Sequence, residues 1–89
     1  MNKMIPKIKN VRAINDYHLF LKFENEEEKI FDMKPYLKYD IFMPLHDENQ
    51  FKDFYIDFGT VCWKCGADLS RDTFYMKGQA VDKQDIATR

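Results

Sequence analysis

The sequence has few of the residues that interrupt or cross-link a chain: three glycines, three prolines and two cysteines among 89 residues. So little glycine and proline excludes collagen-like and low-complexity chains. Two cysteines are too few for the disulfide framework of a small secreted domain. The chain is 45% hydrophobic, which supplies one small core and argues against intrinsic disorder.

The sequence also lacks a large charge of one sign and a long hydrophobic run. Fourteen Lys and Arg residues and 15 Asp and Glu residues give a net charge of −1. Because phosphate neutralisation needs clustered cations, we expect no nucleic-acid binding by this chain alone. No segment approaches the roughly 18–20 apolar residues of a membrane span. No apolar stretch of a secretory signal follows the first lysines. We therefore expect a cytoplasmic protein without membrane association, whose thiols are reduced.

Alternating apolar residues predict three strands in the first part of the chain. The segment 8–14 alternates imperfectly, which predicts a bulge near Asn10. The segment 18–23, HLFLKF, alternates cleanly and places Leu19, Leu21 and Phe23 on one face and Phe20 on the other. A short third strand, KIFD at 29–32, returns after an acidic turn.

Capping residues predict short helices after these strands. Asp32 is a good N-cap for a helix over 33–39, in which Pro35 occupies the first turn. Residues 40–44 are expected to break that helix. Acidic residues begin a further helical turn or two within 46–54.

Two strands, 55–58 and 60–63, are predicted to flank a tight turn or a bulge at Gly59. Ser70 caps a last short helix, and the polar chain from Lys77 onward is expected to fray. These elements predict a small α+β fold, a mostly antiparallel sheet with short helices covering one face. We assign one domain to residues 1–78 and a flexible C-terminal tail to 79–89.

The pair Cys62-x-x-Cys65 is the local motif most typical of chemistry. A structural zinc site needs four ligands, and the two histidines, His18 and His46, are too far apart for a local His-x-x-x-His element. A redox pair places its first thiol at a helix start, whereas Cys62 falls within a predicted strand. We interpret Cys62 as a buried core thiol and Cys65 as an exposed turn thiol. A metal- or thiol-dependent protein that uses Cys62 and Cys65 with His18 and His46 stays open as an alternative.

Aromatic residues form 16% of the chain, more than so small a core requires. We expect Phe20, Tyr39 and Trp63 on an outer face, where aromatic residues form binding surfaces. The acidic turn would steer a basic partner. These features favour a non-enzymatic protein-interaction module without a cofactor. The candidate partner-binding residues are Phe20, Trp63, Glu26, Glu27 and Glu28.

Several motifs together resemble the bacterial DUF2442 family. They are "FDMKPYL", then "YIDFGTVCW", then "GADLSRDTFY", and the likeness covers about residues 5–78. The residues that match the family pattern are Phe31, Asp32, Pro35, Leu37, Trp63, Gly66, Asp68, Leu69, Asp72 and Tyr75. The resemblance implies a small α+β domain and supplies no catalytic or cofactor-binding residues.

The resemblance also suggests a partner. Many similar proteins are encoded beside another short protein in a toxin–antitoxin-like setting, so a protein encoded by a neighbouring gene is the expected partner. The chain would then be the antitoxin-like half. Some similar proteins carry a helix-turn-helix, which keeps a DNA-binding regulator component open as a further alternative, although none follows Tyr75 here. A homo-oligomer is compatible with the sequence.

Overall fold

The computed structural model describes residues 5–81, which form two antiparallel sheets and several short helices. The strands are β1 (Ile8–Ile14), β2 (His18–Phe23), β3 (Glu28–Asp32), β4 (Phe54–Asp57), β5 (Thr60–Trp63) and β6 (Gln79–Ala80). The helices are two 3-10 helices, Lys34–Tyr36 and Asp40–His46, and two α-helices, α1 (Glu48–Phe51) and α2 (Arg71–Lys77). The strand order is β1-β2-β3-β6 in one sheet, and β4 pairs with β5 in the other. The predicted α+β class is confirmed. No helix within residues 5–81 is long and apolar enough to cross a membrane.

The first three strands form the predicted antiparallel meander. The register shifts between Ile8 and Asn10, so the predicted bulge is confirmed. Leu19, Leu21 and Phe23 are fully buried, which fixes their face of β2 as the core face. Strand alternation therefore leaves Phe20 on the opposite face, where it is half-buried.

The core lies on one side of the four-stranded sheet and receives side chains from nearly every element. Its largest members beyond the meander come from the second 3-10 helix, α1, β5 and α2. Phe31 of β3 meets Phe74 of α2 edge to face, with ring centroids 4.7 Å apart. Phe51 of α1 stacks on Trp63 of β5 at 6.3 Å. The helices and the small sheet are thus held against the same face of the large sheet.

Ser70 caps its helix as predicted, whereas the helix predicted over 33–39 is the 3-10 helix Lys34–Tyr36, whose N-cap residue is Met33 and not Asp32. Asp32 Oδ1 accepts the backbone N–H of Lys34 at 2.9 Å, at the junction of β3 with the first 3-10 helix. Ser70 Oγ accepts the backbone N–H of Thr73 at 3.3 Å and begins α2. Each cap satisfies a donor that the first helical turn leaves without an internal partner.

Two helix boundaries differ from the prediction. The expected break at 40–44 is part of a 3-10 helix that continues through Pro44 to His46. Phe42 and Leu45 are three residues apart, which is one 3-10 turn, and both are buried, so core packing favours this conformation. The helical turn predicted within 46–54 is confined to α1, and Phe54 begins β4 instead.

The C-terminal boundary also differs. The expected fraying from Lys77 is wrong for Gln79 and Ala80, which form β6 on the edge of β3. Val81 N–H also donates to the Glu28 carbonyl at 3.0 Å. A polar segment forms this strand because the exposed edge of β3 offers backbone hydrogen-bonding partners. Residues 1–4 of the predicted domain and 82–89 of the predicted tail lie outside the described residues.

Candidate interaction surface

The outer face of the four-stranded sheet carries an apolar centre between charged rows. Arg12, Phe20 and Ile30 are directly opposite one another on β1, β2 and β3, and we call these three residues the outer-face row. The Arg12 guanidinium carbon lies 4.9 Å from the centroid of the Phe20 ring. Phe20 and Ile30 are half-buried and do not belong to the core cluster or to the side chains packed against it. The apolar centre of this row is therefore accessible to another molecule.

Polar side chains flank the outer-face row on both sides. One neighbouring row consists of Asn10, Lys22 and Glu28, and the other consists of Ile14, His18 and Asp32. The His18 Nε2 atom lies 3.8 Å from Asp32 Oδ2. An apolar centre with a polar rim is the arrangement found in protein–protein interfaces.

Trp63 does not lie on an outer face, so that expectation is wrong. Its side chain is 1% exposed, and its indole N–H donates to the Phe51 carbonyl at 2.8 Å. The strand Thr60–Trp63 alternates so that Val61 and Trp63 point inward together. The two largest apolar residues of the strand share one phase, which is the sequence signal that identifies them as core. A partner could not reach Trp63 without local unfolding.

The acidic turn is less acidic than its sequence suggests. Glu26 Oε2 lies 3.1 Å from Lys9 Nζ, and Glu26 Oε1 lies 3.3 Å from Lys22 Nζ. Hydrogen bonds from Lys9 and then Lys22, together with their charges, lower the pKa of Glu26. Glu28 lies opposite Lys22 on β3, and Glu27 is exposed. Lys9 and Lys22 offset two of the four glutamate charges at residues 24–28, so the turn steers a basic partner less strongly than its sequence suggests.

Several exposed hydrophobic residues are absent from the surface predicted from the sequence. Tyr39 was expected on an outer face and is 52% exposed, but it lies at the start of the second 3-10 helix and not on the sheet. The other exposed large hydrophobic residues among those described are Ile41, Met43, Tyr55, Ile56, Phe58 and Met76. Part of this set had a sequence signal, since the apolar run IFMPL at 41–45 is too long for one helix face to bury.

Strand β1 forms an open edge of the large sheet. Its inner side pairs with β2 along the strand. Within residues 5–81, the one backbone hydrogen bond from β1 to its outer side joins Ile8 N–H to the Gly59 carbonyl at 2.9 Å. The remaining outward N–H and C=O groups of an edge strand can pair with a strand of another protein.

The four residues of the alternative metal or thiol site lie in separate places. His46 Nε2 is 2.7 Å from the Leu37 carbonyl, and His18 Nδ1 is 2.9 Å from the Asp16 carbonyl. The two cysteines are free. Within residues 5–81, no three His, Cys, Asp or Glu side chains come close enough to hold a metal ion together. The structure thus brings His18, His46, Cys62 and Cys65 to no common site.

The two cysteines differ in exposure, and the prediction is right for Cys65 and wrong for Cys62. Cys65 is exposed in the turn after β5, which agrees with the prediction. Cys62 is half-buried and opposite Tyr55 on the outward face of the small sheet, so its assignment to the core is wrong. Its partial burial raises the pKa of the Cys62 thiol, and the nearby Asp68 and Asp57 carboxylates add to the shift. A raised pKa makes Cys62 a poor nucleophile near neutral pH.

The fold and surface define a small α+β domain with an open sheet face and an open edge. The family described as "Protein of unknown function (DUF2442)" matches residues 8–80, and the chain belongs to this family. No curated protein and no solved structure matches the chain.

Proposed function

We propose that this protein is a non-enzymatic interaction module that binds a second protein through the outer face of its four-stranded sheet. The observation that carries the proposal is the outer-face row, Arg12, Phe20 and Ile30, which is apolar at its centre and lies outside the core. Arginine and large aromatic residues are enriched among the residues that dominate binding energy. The partner is the small protein encoded by an adjacent gene, and this chain is the antitoxin-like half of the pair.

The open edge of β1 gives the partner a second way to contact the same region. A partner strand placed along β1 would extend the sheet and bring its own side chains next to Arg12. β1 carries Arg12, together with Lys9, which already pairs with Glu26, and it carries no acidic residue. Charge complementarity therefore favours an acidic partner segment rather than the basic one predicted from the acidic turn.

Calorimetry with the purified product of the adjacent gene tests this proposal. Phe20→Ala removes the aromatic centre of the surface and should weaken binding by about 2 kcal/mol or more. Met76→Ala is the matched control, because Met76 is also an exposed apolar residue but lies on α2. Its affinity should equal that of the wild type.

Circular dichroism and thermal unfolding would first establish that both variants are folded. Equal affinities for wild type and folded Phe20→Ala would refute the outer face as the binding surface. The absence of any binding to the adjacent gene product would refute the assignment of the partner.

A further inference from the structure

We propose that the tip of the β4–β5 hairpin is a second docking element, in which Phe58 inserts into an apolar, acid-rimmed pocket of the protein partner. This inference rests on the proposed function, since it needs a protein partner, but it concerns a different surface. Phe58 is 89% exposed, the largest value among the exposed large hydrophobic residues of the described chain. A ring that buries almost none of its surface contributes little packing energy to the isolated fold.

The backbone at Phe58 is one that its side chain disfavours. Asp57 pairs with Thr60, so Phe58 and Gly59 form a two-residue turn, with φ angles of 53° and 76°. Turns with positive φ at both central residues favour Asn-Gly or Gly-Gly, because those residues tolerate the left-handed region. A bulky residue there is a genuine outlier. An unfavourable conformation that is retained without local compensation points to a function outside the isolated fold.

The hairpin tip is fixed in position. The Gly59 carbonyl accepts the N–H of Ile8 at 2.9 Å, and a Cβ atom at Gly59 would lie 2.6 Å from Cγ of Lys7. At the other end of the hairpin, Trp63 is buried in the core. The hairpin that carries Phe58 is therefore held both at its tip and at its base. An anchor that is already held in place loses little conformational entropy when it binds.

The charges around the tip indicate the chemistry of the pocket. The side chain of Lys7 contacts the turn, and Arg71 Nη1 lies 3.1 Å from the Cβ position of Gly59. Within residues 5–81, neither cation forms an ion pair. Asp57 is the one acidic residue next to the turn in sequence. An exposed aromatic ring on a turn that two basic side chains approach fits an apolar pocket whose rim carries carboxylates.

A lipid surface would also accept an exposed apolar ring on a turn that two basic side chains approach. A single anchor of this kind gives only marginal, reversible membrane binding, and stable attachment takes two signals. The whole chain has a net charge of −1, which adds no general attraction to anionic lipids. A rigid aromatic anchor instead matches the residues that dominate protein interfaces. We therefore assign the tip to a protein partner.

The variant Phe58→Asn separates the docking role from a folding role. Asparagine tolerates the positive φ at this position, so the variant should unfold at a higher temperature than the wild type. It should also bind the purified product of the adjacent gene roughly thirtyfold more weakly, or worse. Met76→Ala again serves as the exposed apolar control, with unchanged affinity.

Each of the following outcomes would overturn the inference, and each would point to a different explanation. If Phe58→Asn binds as the wild type does while Phe20→Ala does not, the tip is not an anchor and the proposed function stands. If the adjacent gene product does not bind the wild type, both proposals fail. A lower melting temperature for Phe58→Asn would show that the ring supports the fold. Phe58-dependent binding to vesicles of phosphatidylglycerol and phosphatidylcholine would assign the tip to a membrane. Phe58-dependent dimers in sedimentation velocity would assign it to a second copy of this chain.

Discussion

The turns of the large sheet and the turn of the small sheet carry backbone strain in different ways. In the large sheet, Asp16, Tyr17 and Glu26 have positive φ angles of 63°, 60° and 74°. The two acidic residues form ion pairs, and the Tyr17 ring packs edge to face on Phe51 at 5.1 Å. Asp16 Oδ2 lies 2.6 Å from Lys34 Nζ, and Glu26 contacts Lys9 and Lys22. In the small sheet, Phe58 has a φ of 53° and an exposed ring. Strained turn residues therefore have local compensation in the large sheet and lack it in the small sheet, which distinguishes structural turns from a candidate binding turn.

The largest expected effect comes from removing the side chain that attaches the small sheet to the core. Trp63→Ala should lower the free energy of unfolding by roughly 3–5 kcal/mol, because it removes a fully buried ring. Trp63→Phe keeps a ring but leaves the Phe51 carbonyl without the indole N–H, and should cost less. Urea unfolding followed by circular dichroism measures both. A loss below about 1 kcal/mol for Trp63→Ala would mean that the small sheet is not anchored through this side chain.

The junction between β3 and the first 3-10 helix gives the next largest expected effect. Asp32→Ala removes the carboxylate that accepts the Lys34 N–H, and loss of such a cap costs roughly 0.5–2 kcal/mol. Asp47→Ala is a matched comparison with a similar expected loss, since Asp47 Oδ1 accepts the Asn49 N–H in the same way at the start of α1. Thermal unfolding compares the two, and partner binding of the folded fraction should be unchanged. An Asp32→Ala protein of wild-type stability that cannot bind would make Asp32 a functional residue.

The contrast between the turns can be tested with one substitution in each sheet. Phe58→Asn should raise the free energy of unfolding by about 0.5–1 kcal/mol, because the new residue suits the backbone and no buried contact is lost. Glu26→Asn makes the same backbone improvement but removes the contacts with Lys9 and Lys22, so it should raise stability less. Equal gains in the free energy of unfolding, measured by chemical denaturation, would show that the ion pairs at Glu26 do not offset its backbone strain.

The smallest expected effects concern the two cysteines. Cys65 should react with iodoacetamide faster than Cys62, because it is exposed while burial raises the pKa of Cys62. The thiolate is the reactive form, so raising the pH toward the elevated pKa of Cys62 should speed its alkylation. Peptide mass spectrometry across pH 7 to about 9 follows each thiol. Faster labelling of Cys62 at neutral pH would contradict the structural difference between them.

The meander and its caps were predictable because their signals are local. The alternation of β2 separated Leu19, Leu21 and Phe23 from Phe20, although their burial in the structure is what shows which face is the core. Asp32 and Ser70 identified two helix starts. These features depend on residues within a few positions of each other.

The features that were not predictable from the sequence depend on partners distant in the sequence or on strands whose alternation of apolar residues is ambiguous. Gln79 and Ala80 have no strand pattern of their own and form β6 only because β3 lies beside them. In β5, the Cys-x-x-Cys motif obscured the shared phase of Val61 and Trp63. For the candidate surface, the outer position of Phe20 was predicted, whereas Phe58 was assigned to the strand 55–58 and is exposed because it lies in the turn after Asp57.

The pairing of β6 with β3 has a consequence for the order of folding. β1, β2 and β3 pair through short turns, so their contacts close small loops at low entropic cost. The contact between Lys29 and Ala80 closes a loop that contains the small sheet and the 3-10 and α-helices described above. We therefore expect the meander to assemble early and β6 to dock last. A strand of two residues that docks last should also open first, and its amide hydrogens should exchange with solvent well before those of β2.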